Sequence, residues 1–174
     1  MAVDVVPTSA RLTFRQMSGA DLDDIAALLG SPEVMEHYLR PKTRSEAADW
    51  IRWNETNYAR DGYGLWLLHD LDGSFVGECG LTWQTIDAVT DLEVGYHVLP
   101  QFQGRGLATH AATACREFAR SRGVRRLISV IYRLNLPSQR VAQKAGMTLE
   151  RETLDSSGRP IGLWSTALTA MGER

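Results

Sequence analysis

Gln101-Phe102-Gln103-Gly104-Arg105-Gly106-Leu107-Ala108 is the stretch on which the reading of this chain turns. Before it, Leu92, Val94, Tyr96 and Val98 alternate with Glu93, Gly95 and His97, which is the period of two of a strand. After it, Leu107, Ala111, Ala114 and Phe118 recur at helical spacing until Gly123. The octapeptide is therefore a strand-to-helix turn. The first N–H groups of a helix have no intrahelical partner and carry a partial positive charge. Glycines let the backbone approach an anion without a Cβ in the way. Gly104 and Gly106, with Gln103 and Arg105 beside them and Leu107 and Ala108 opening the helix, form a candidate diphosphate cradle. Two glycines alone fit a merely flexible helix entry equally well. The turn is neither a GxxxxGK[ST] loop nor a GxGxxG fingerprint.

Outward from this turn the chain reads as one mixed α/β unit. Towards the N-terminus, Leu12 and Phe14 suggest a strand, and Ser18 with Asp21 begins a helix carrying Leu22, Ile25 and Leu29 to Gly30. Ser31-Pro32 predicts a short second helix with Val34 and Met35. Thr43 with Glu46 forms a capping box for a helix through about Tyr58. Strands follow at Leu65 to His69, Phe75 to Trp83 and Leu92 to Val98, the first two joined by an Asp72-Gly73 turn. Beyond the Gly106 to Arg122 helix come a strand at Leu127 to Tyr132, a short helix at Pro137 to Ala145, and strands at Thr148 to Leu154 and Ile161 to Leu168. The expectation is a single domain over residues 1–174, with its core at about 11–168. Its sheet is mixed and twisted, of six to seven strands, with helices on both faces.

Composition sets the bounds. The 174 residues are 44% hydrophobic and 23% charged, enough for a real core, with a net charge of −2. The charge is unevenly placed: residues 1–100 hold 7 Lys and Arg against 16 Asp and Glu, whereas residues 101–151 hold 10 against 2. A basic segment beside an acidic one suits a protein binding an anion with one part and a cation with the other. Cys79 and Cys115 read as buried thiols of a reducing, cytoplasmic environment. The four histidines form no metal-binding pair, so no metal is expected. The N-terminal MAVDVVPTSARL has no signal-peptide pattern, and no apolar stretch is long enough to span a membrane. Neither nucleic acid nor membrane is an expected partner of the whole molecule.

Several motifs now line up in order. They are Arg11-Leu12-Thr13-Phe14-Arg15, Pro32-Glu33-Val34-Met35, Leu92-Glu93-Val94-Gly95-Tyr96, the Gln101-x-x-Gly104-x-Gly106 turn, Asn135-x-x-Ser138 and Lys144-Ala145-Gly146-Met147. Together they resemble the GNAT superfamily of N-acetyltransferases, in the branch of the ribosomal-protein N-terminal (alanine) acetyltransferases. The likeness runs from about Arg11 to Leu168. It implies a sheet that splays near Val98, acetyl-coenzyme A as cosubstrate wedged into the gap, and a homodimer. It also implies that the backbone at Val98 and Leu99 pairs with the pantetheine arm, and that Gln103, Gly104, Arg105, Gly106, Leu107 and Ala108 surround the diphosphate. Asn135 is placed on the pantetheine and Ser138 near the thiol. Many relatives carry a tyrosine acid on the helix after this asparagine; here that position is Ala142, which leaves Ser138 as the hydroxyl in the acid's place.

Acetyl transfer to an amine requires a base, because only the neutral amine attacks. Glu93, on the strand feeding the turn, is the candidate, directly or through water; a structural strand glutamate is the alternative. His97 is a second candidate on the same face, with a satisfied polar histidine as its alternative. Asn135 and Ser138 are equally good helix caps. Arg133, Arg140 and Lys144 are candidates for the ribose phosphate, or surface charges. Trp50, Trp53, Tyr58, Trp66 and Trp83 are available to an acceptor pocket, or to the core. Neither cysteine is placed as a nucleophile, so direct attack in a ternary complex is expected. The acceptor is a protein N-terminus or a small-molecule amine. Two other functions stay open: a coenzyme A sensor without transfer activity, and a helix-turn-helix DNA-binding protein, which would need a recognition helix after Gly146.

Overall fold

The computed structural model describes residues 5–169. Both ends of the expected domain, 1–4 and 170–174, lie outside them. The elements are β1 (Thr13–Gln16), α1 (Leu22–Gly30), α2 (Arg44–Asp61), β2 (Leu65–His69), β3 (Phe75–Ile86), β4 (Val89–Val98), α3 (Leu107–Ser121), β5 (Arg126–Tyr132), α4 (Leu136–Lys144), β6 (Thr148–Leu154) and β7 (Pro160–Ala167). The strands form one sheet in the order β1-β2-β3-β4-β5-β7-β6. Every neighbouring pair is antiparallel except β4 and β5, which run parallel across the α3 crossover.

Two expectations are corrected. Residues 31–40 form successive turns instead of a second helix. Met35 N–H reaches Ser31 O and Tyr38 N–H reaches Met35 O, but no helical ladder develops between them. Buried Met35 anchors the segment to the core. The strands β3 and β4 are also longer than their apolar alternation suggested. They meet in a two-residue turn at Asp87 and Ala88, with φ of 49° and 65°. That is the left-handed geometry of a tight hairpin turn, adopted here without the glycine or asparagine that usually announces it.

The cap of α2 is as the sequence predicts. The Thr43 side chain accepts from Glu46 N–H, and the Glu46 carboxylate accepts from Thr43 N–H at 2.7 Å. Arg40 adds an ion pair to Glu46 and holds that carboxyl down to about 2. Thr43→Ala is expected to lower unfolding free energy by about 1 kcal/mol, the usual worth of an N-cap, read as a shift of the urea midpoint with unchanged slope.

Helices cover both faces of the sheet, and adjacent residues of β3 show it. Glu78 points to α2, where Trp50 Nε1 donates to it at 3.0 Å, and Cys79 points to α3, where Cys115 Sγ lies 3.6 Å away. On the α3 face Trp66 packs edge-on against Phe118 and Phe14. This puts His97, paired with Glu78, on the α2 face and Tyr96, paired with Cys79, on the α3 face.

The sheet forks between β4 and β5. Only Leu92↔Leu127 and Glu93↔Ile128 are paired. Beyond them β4 continues along β3 to Val98, and β5 continues along β7 to Tyr132. The split therefore opens just after Glu93, earlier than the expected position near Val98. Side chains close its base in place of the ladder: Ser129 Oγ donates to Val94 O at 3.1 Å, and Glu93 Oε2 accepts from Val130 N–H at 2.9 Å.

Candidate active site

The helix α3 begins beside the fork with no side-chain cap. Its N-cap is Gly106, at φ 78°, and Gly104 precedes it at φ 72°. Both lie in the left-handed region, which costs a residue with a Cβ roughly 1–2 kcal/mol. A Cβ on Gly104 would meet no atom within 4 Å, so the space in front of this turn is open. Gln103 stabilises the approach by donating from Nε2 to Val98 O at 2.9 Å. The result is a helix start whose backbone donors are spent on no cap, beside free space: a seat for an anion.

A cavity of about 500 Å³ runs from this seat to the fork. Of the residues singled out in the sequence, Val98, Gln103, Gly104, Gly106, Leu107, Ala108, Asn135 and Ser138 line it, as do Arg140 and Lys144. Leu99 and Arg105 do not. Leu99 N–H is bonded to Val76 O at 2.9 Å, so it belongs to the sheet. Because the carbonyls of Val94 and Val98 both turn away from β3, strand alternation sends the backbone of Tyr96 and Val98 into the split. The strand edge facing the split is thus at Tyr96 and Val98, with Val98 O already accepting from Gln103, while Leu99 N–H is turned to β3. Arg105 is exposed and its guanidinium lies over the Phe102 ring, 5.5 Å from the centroid. Arg133 pairs with Glu152 outside the cavity.

A second cavity, of about 370 Å³, opens on the α2 face. Glu93, Gly95 and His97 line it together, as their shared strand face predicts, with Trp50 and Trp53 from α2 and Asp155 from the β6–β7 turn. Its described lining residues include no lysine or arginine. Tyr58 and Trp66 are core residues and Trp83 is exposed elsewhere. A Cβ on Gly95 would stand 3.8 Å from Glu93 Oε1, so the bare strand leaves the carboxylate approachable. Glu93 is half-buried, and loss of solvation pushes its carboxyl up to about 7, against the Val130 N–H that favours the ionised form. A third groove, of about 570 Å³, lies between residues 5–10 and the outer side of α3, away from the fork and all these groups.

Four residues line both cavities beside the fork: Tyr38, Tyr96, His97 and Ser138. Asn135 caps α4, its Oδ1 accepting from Ser138 N–H at 3.2 Å, so only its Nδ2 donor remains for a ligand. The Tyr96 hydroxyl donates to Ser138 O at 2.8 Å and lies 3.0 Å from Ser138 Oγ. Burial raises the Tyr96 phenol above its ordinary value, so it keeps its proton at neutral pH. Ala142 is 1% exposed, inside the core. A phenol instead stands on the opposite wall, that of Tyr96 on β4. Tyr96 and Tyr38 were not singled out as site residues in the sequence, because one sits in an apolar alternation and the other in the segment predicted as a helix. Among the described residues no cluster of His, Cys, Asp and Glu could hold a metal ion, and no helix is long and apolar enough to cross a membrane. The basic helix α4 runs into strand β6 where a DNA-reading motif would need a second helix.

This frame places the chain among α/β proteins whose single mixed sheet forks between two central parallel strands, with a cavity on either side of the fork. Residues 11–148 match the acetyltransferase (GNAT) domain, and the chain belongs to that family. It is 32% identical over 157 residues to YkkB of Bacillus subtilis strain 168, itself uncharacterised, covering 88% of this chain and 91% of that one. Among solved structures, a protein of Bordetella pertussis classed with the GnaT-family acetyltransferases is 26% identical, with a TM-score of 0.78 over 92% of this chain and 98% of the other. RimL, a ribosomal-protein α-N-acetyltransferase solved in complex with coenzyme A, shares the fold at 18% identity and a TM-score of 0.76, over 93% of this chain and 97% of its own.

Proposed function

We propose that the chain transfers an acetyl group from acetyl-coenzyme A to a primary amine by direct attack in a ternary complex. The observation that carries this reading is the uncapped, glycine-led start of α3, whose cavity ends at a fork with a raised-pKa carboxylate on its other side. Coenzyme A fits the cavity chemically. The backbone N–H groups from Gly104 to Ala108 suit its diphosphate. The Tyr96–Val98 edge offers strand-like pairing to the pantetheine amides, and Asn135 Nδ2 adds a donor. Arg140 and Lys144 supply positive charge for the ribose phosphate. In this reading Glu93 takes a proton from the acceptor ammonium, and Tyr96, backed by Ser138, donates to the departing sulfur.

The aromatic, cation-free lining of the second cavity suits an amine arriving as its ammonium, at a protein N-terminus or on a small molecule. The two buried thiols agree with a cytoplasmic location. The direct test is release of free thiol from acetyl-coenzyme A in the presence of a panel of amines. Turnover with any member supports the reading, and tight cofactor binding without turnover replaces it with a sensor.

Tyr96→Phe is expected to lower kcat about tenfold, below the roughly 100-fold or more usual for general acids because a thiolate leaves readily, with the KM for acetyl-coenzyme A unchanged. Ser138→Ala is expected to cost less, since Ser138 supports the phenol. Steady-state kinetics of the two variants check the order; a larger loss for Ser138→Ala would return the acid role to the serine.

A further inference from the structure

Glu78 has no exposed surface, yet it is a carboxylate sunk in β3 beneath the acceptor cavity. Burying a carboxylate is costly unless its oxygens are bonded, and both are. Oε2 accepts from Trp50 Nε1 at 3.0 Å, and Oε1 meets His97 Nδ1 at 2.8 Å. An ionised carboxylate only accepts, so Nδ1 of His97 carries a proton. In that tautomer Nε2 presents its lone pair to the Tyr38 hydroxyl, 2.7 Å away, which donates to it.

Carboxylate, imidazole and phenol form a line from the core to the open. Side-chain exposure is 0% at Glu78 and 11% at His97, and Tyr38 as a residue is 46% exposed. Glu78 and His97 are held opposite each other by the β3–β4 register. The strands are so close here that a Cβ on Gly77 would lie 2.0 Å from His97 O. Tyr38 arrives from outside the sheet, on the turns of residues 31–40. Tyr38 and His97 both border the cofactor and the acceptor cavities. A leucine at position 78 would fill the core more cheaply; a fully bonded acid that orients a histidine at the reaction centre is the arrangement of a proton acceptor.

The transfer reaction leaves such an acceptor something to do. An ammonium nitrogen loses two protons on becoming an amide. Glu93 takes the first. We propose that His97, oriented by Glu78 and reached through the Tyr38 hydroxyl, accepts the second. The nitrogen of the adduct gives its proton to Tyr38 Oη as Tyr38 gives its own to His97 Nε2. The Nδ1 proton stays on the ring, and His97 becomes an imidazolium paired with the Glu78 carboxylate. The C–S bond breaks with its electron pair going to sulfur, which takes the Tyr96 proton. Water later removes the protons from Glu93 and His97 and replenishes Tyr96. The inference rests on the acetyltransferase reading, but the two are tested apart.

The experiment uses the full chain with the fastest amine of a panel: an alanine-initiated peptide, a polyamine and an amino sugar. His97→Ala is expected to lower kcat about 100-fold, the loss typical of a missing general base, with coenzyme A affinity by calorimetry unchanged. Added imidazole then restores much of the lost rate, which a merely structural histidine would not allow. Tyr38→Phe removes only the hydroxyl oxygen of a residue that is itself 46% exposed, so the fold is expected to survive. This variant is expected to lower kcat about tenfold, a modest share of such an effect, and not to respond to imidazole. A wild-type rate in either variant overturns the relay, as does a loss in folded His97→Ala protein that imidazole leaves untouched. If the wild-type protein acetylates none of the amines, the transferase reading fails first and the relay falls with it.

Discussion

Glu93→Gln is expected to lower kcat by about 100-fold or more, within the range for general bases, and to abolish the rise of rate through neutral pH. The sign follows from the environment. Desolvation holds the Glu93 carboxyl near 7, so the active carboxylate grows from about a tenth of the molecules at pH 6 to about nine-tenths at pH 8. A glutamine keeps the shape and can still face Val130, but cannot take a proton. Coenzyme A affinity should be unchanged, because Glu93 lines the acceptor cavity only. Stability gives an independent reading of the same group. A carboxyl raised above its unfolded value contributes stability that is fully present below about 4.5 and is lost as pH rises through about 7. Thermal midpoints of the wild type should therefore fall relative to Glu93→Gln between those values. A variant that keeps the wild-type pH–rate curve would remove Glu93 as the base.

Gly104→Glu should be more severe for binding than any other single change considered. The position demands φ near 72°, which costs a non-glycine residue roughly 1–2 kcal/mol. The new carboxylate would also enter the space meant for a diphosphate and repel it across a helix start that now favours the side chain. Coenzyme A affinity by calorimetry is expected to fall about 100-fold or more, equivalent to at least roughly 2.7 kcal/mol. No atom stands within 4 Å of the would-be Cβ, so the fold should survive, as circular dichroism can verify. Gly104→Ala separates the causes, since it adds the strain without the charge and should cost less. Undiminished affinity in Gly104→Glu would show that the diphosphate is held elsewhere.

The glycine-led start of α3 was legible because it is built from local chemistry. A strand, two glycines and an amphipathic helix are contiguous in sequence, and their order gives a helix start with unpaired amides, the seat proposed here for the diphosphate. The face of Glu93, Gly95 and His97 was legible from the period of a strand. What could not be read was everything assembled across the sheet. Glu78 looked like one polar residue in a strand, and its partnership with His97 exists only through the β3–β4 register. Tyr96 alternates with aliphatic residues, and nothing nearby in sequence reveals that its hydroxyl meets Ser138, 42 positions away. The missing tyrosine at position 142 was visible, but not its replacement from the opposite wall. The fork was placed too late because pairing between β4 and β5 is a non-local property, ended by the side chains of Glu93 and Ser129. Tyr38 was hidden by a turn segment whose Ser-Pro start resembles a helix cap.

The division of faces gives the site its logic. Residues 93, 95 and 97 of β4 address the α2 side, where acidic and aromatic groups gather, and residues 94, 96 and 98 address the fork and the α3–α4 side. In the proposed reaction one strand thus serves both substrates, and its separation from β5 lets them meet. The uneven charge of the sequence, acidic before residue 100 and basic after it, follows from this arrangement: most of the acceptor wall comes from the first part, and the cofactor seat with its cationic neighbours from the second.

Amide hydrogen exchange with and without coenzyme A tests most directly where the ligand is held. Seated on the start of α3, it should slow exchange at residues 104–108 and along the strand edge at Tyr96 and Val98, while leaving residues 5–10 and the groove side of α3 beyond Thr109 unchanged. Protection confined to that groove, or none at residues 104–108 under saturating ligand, would contradict the account.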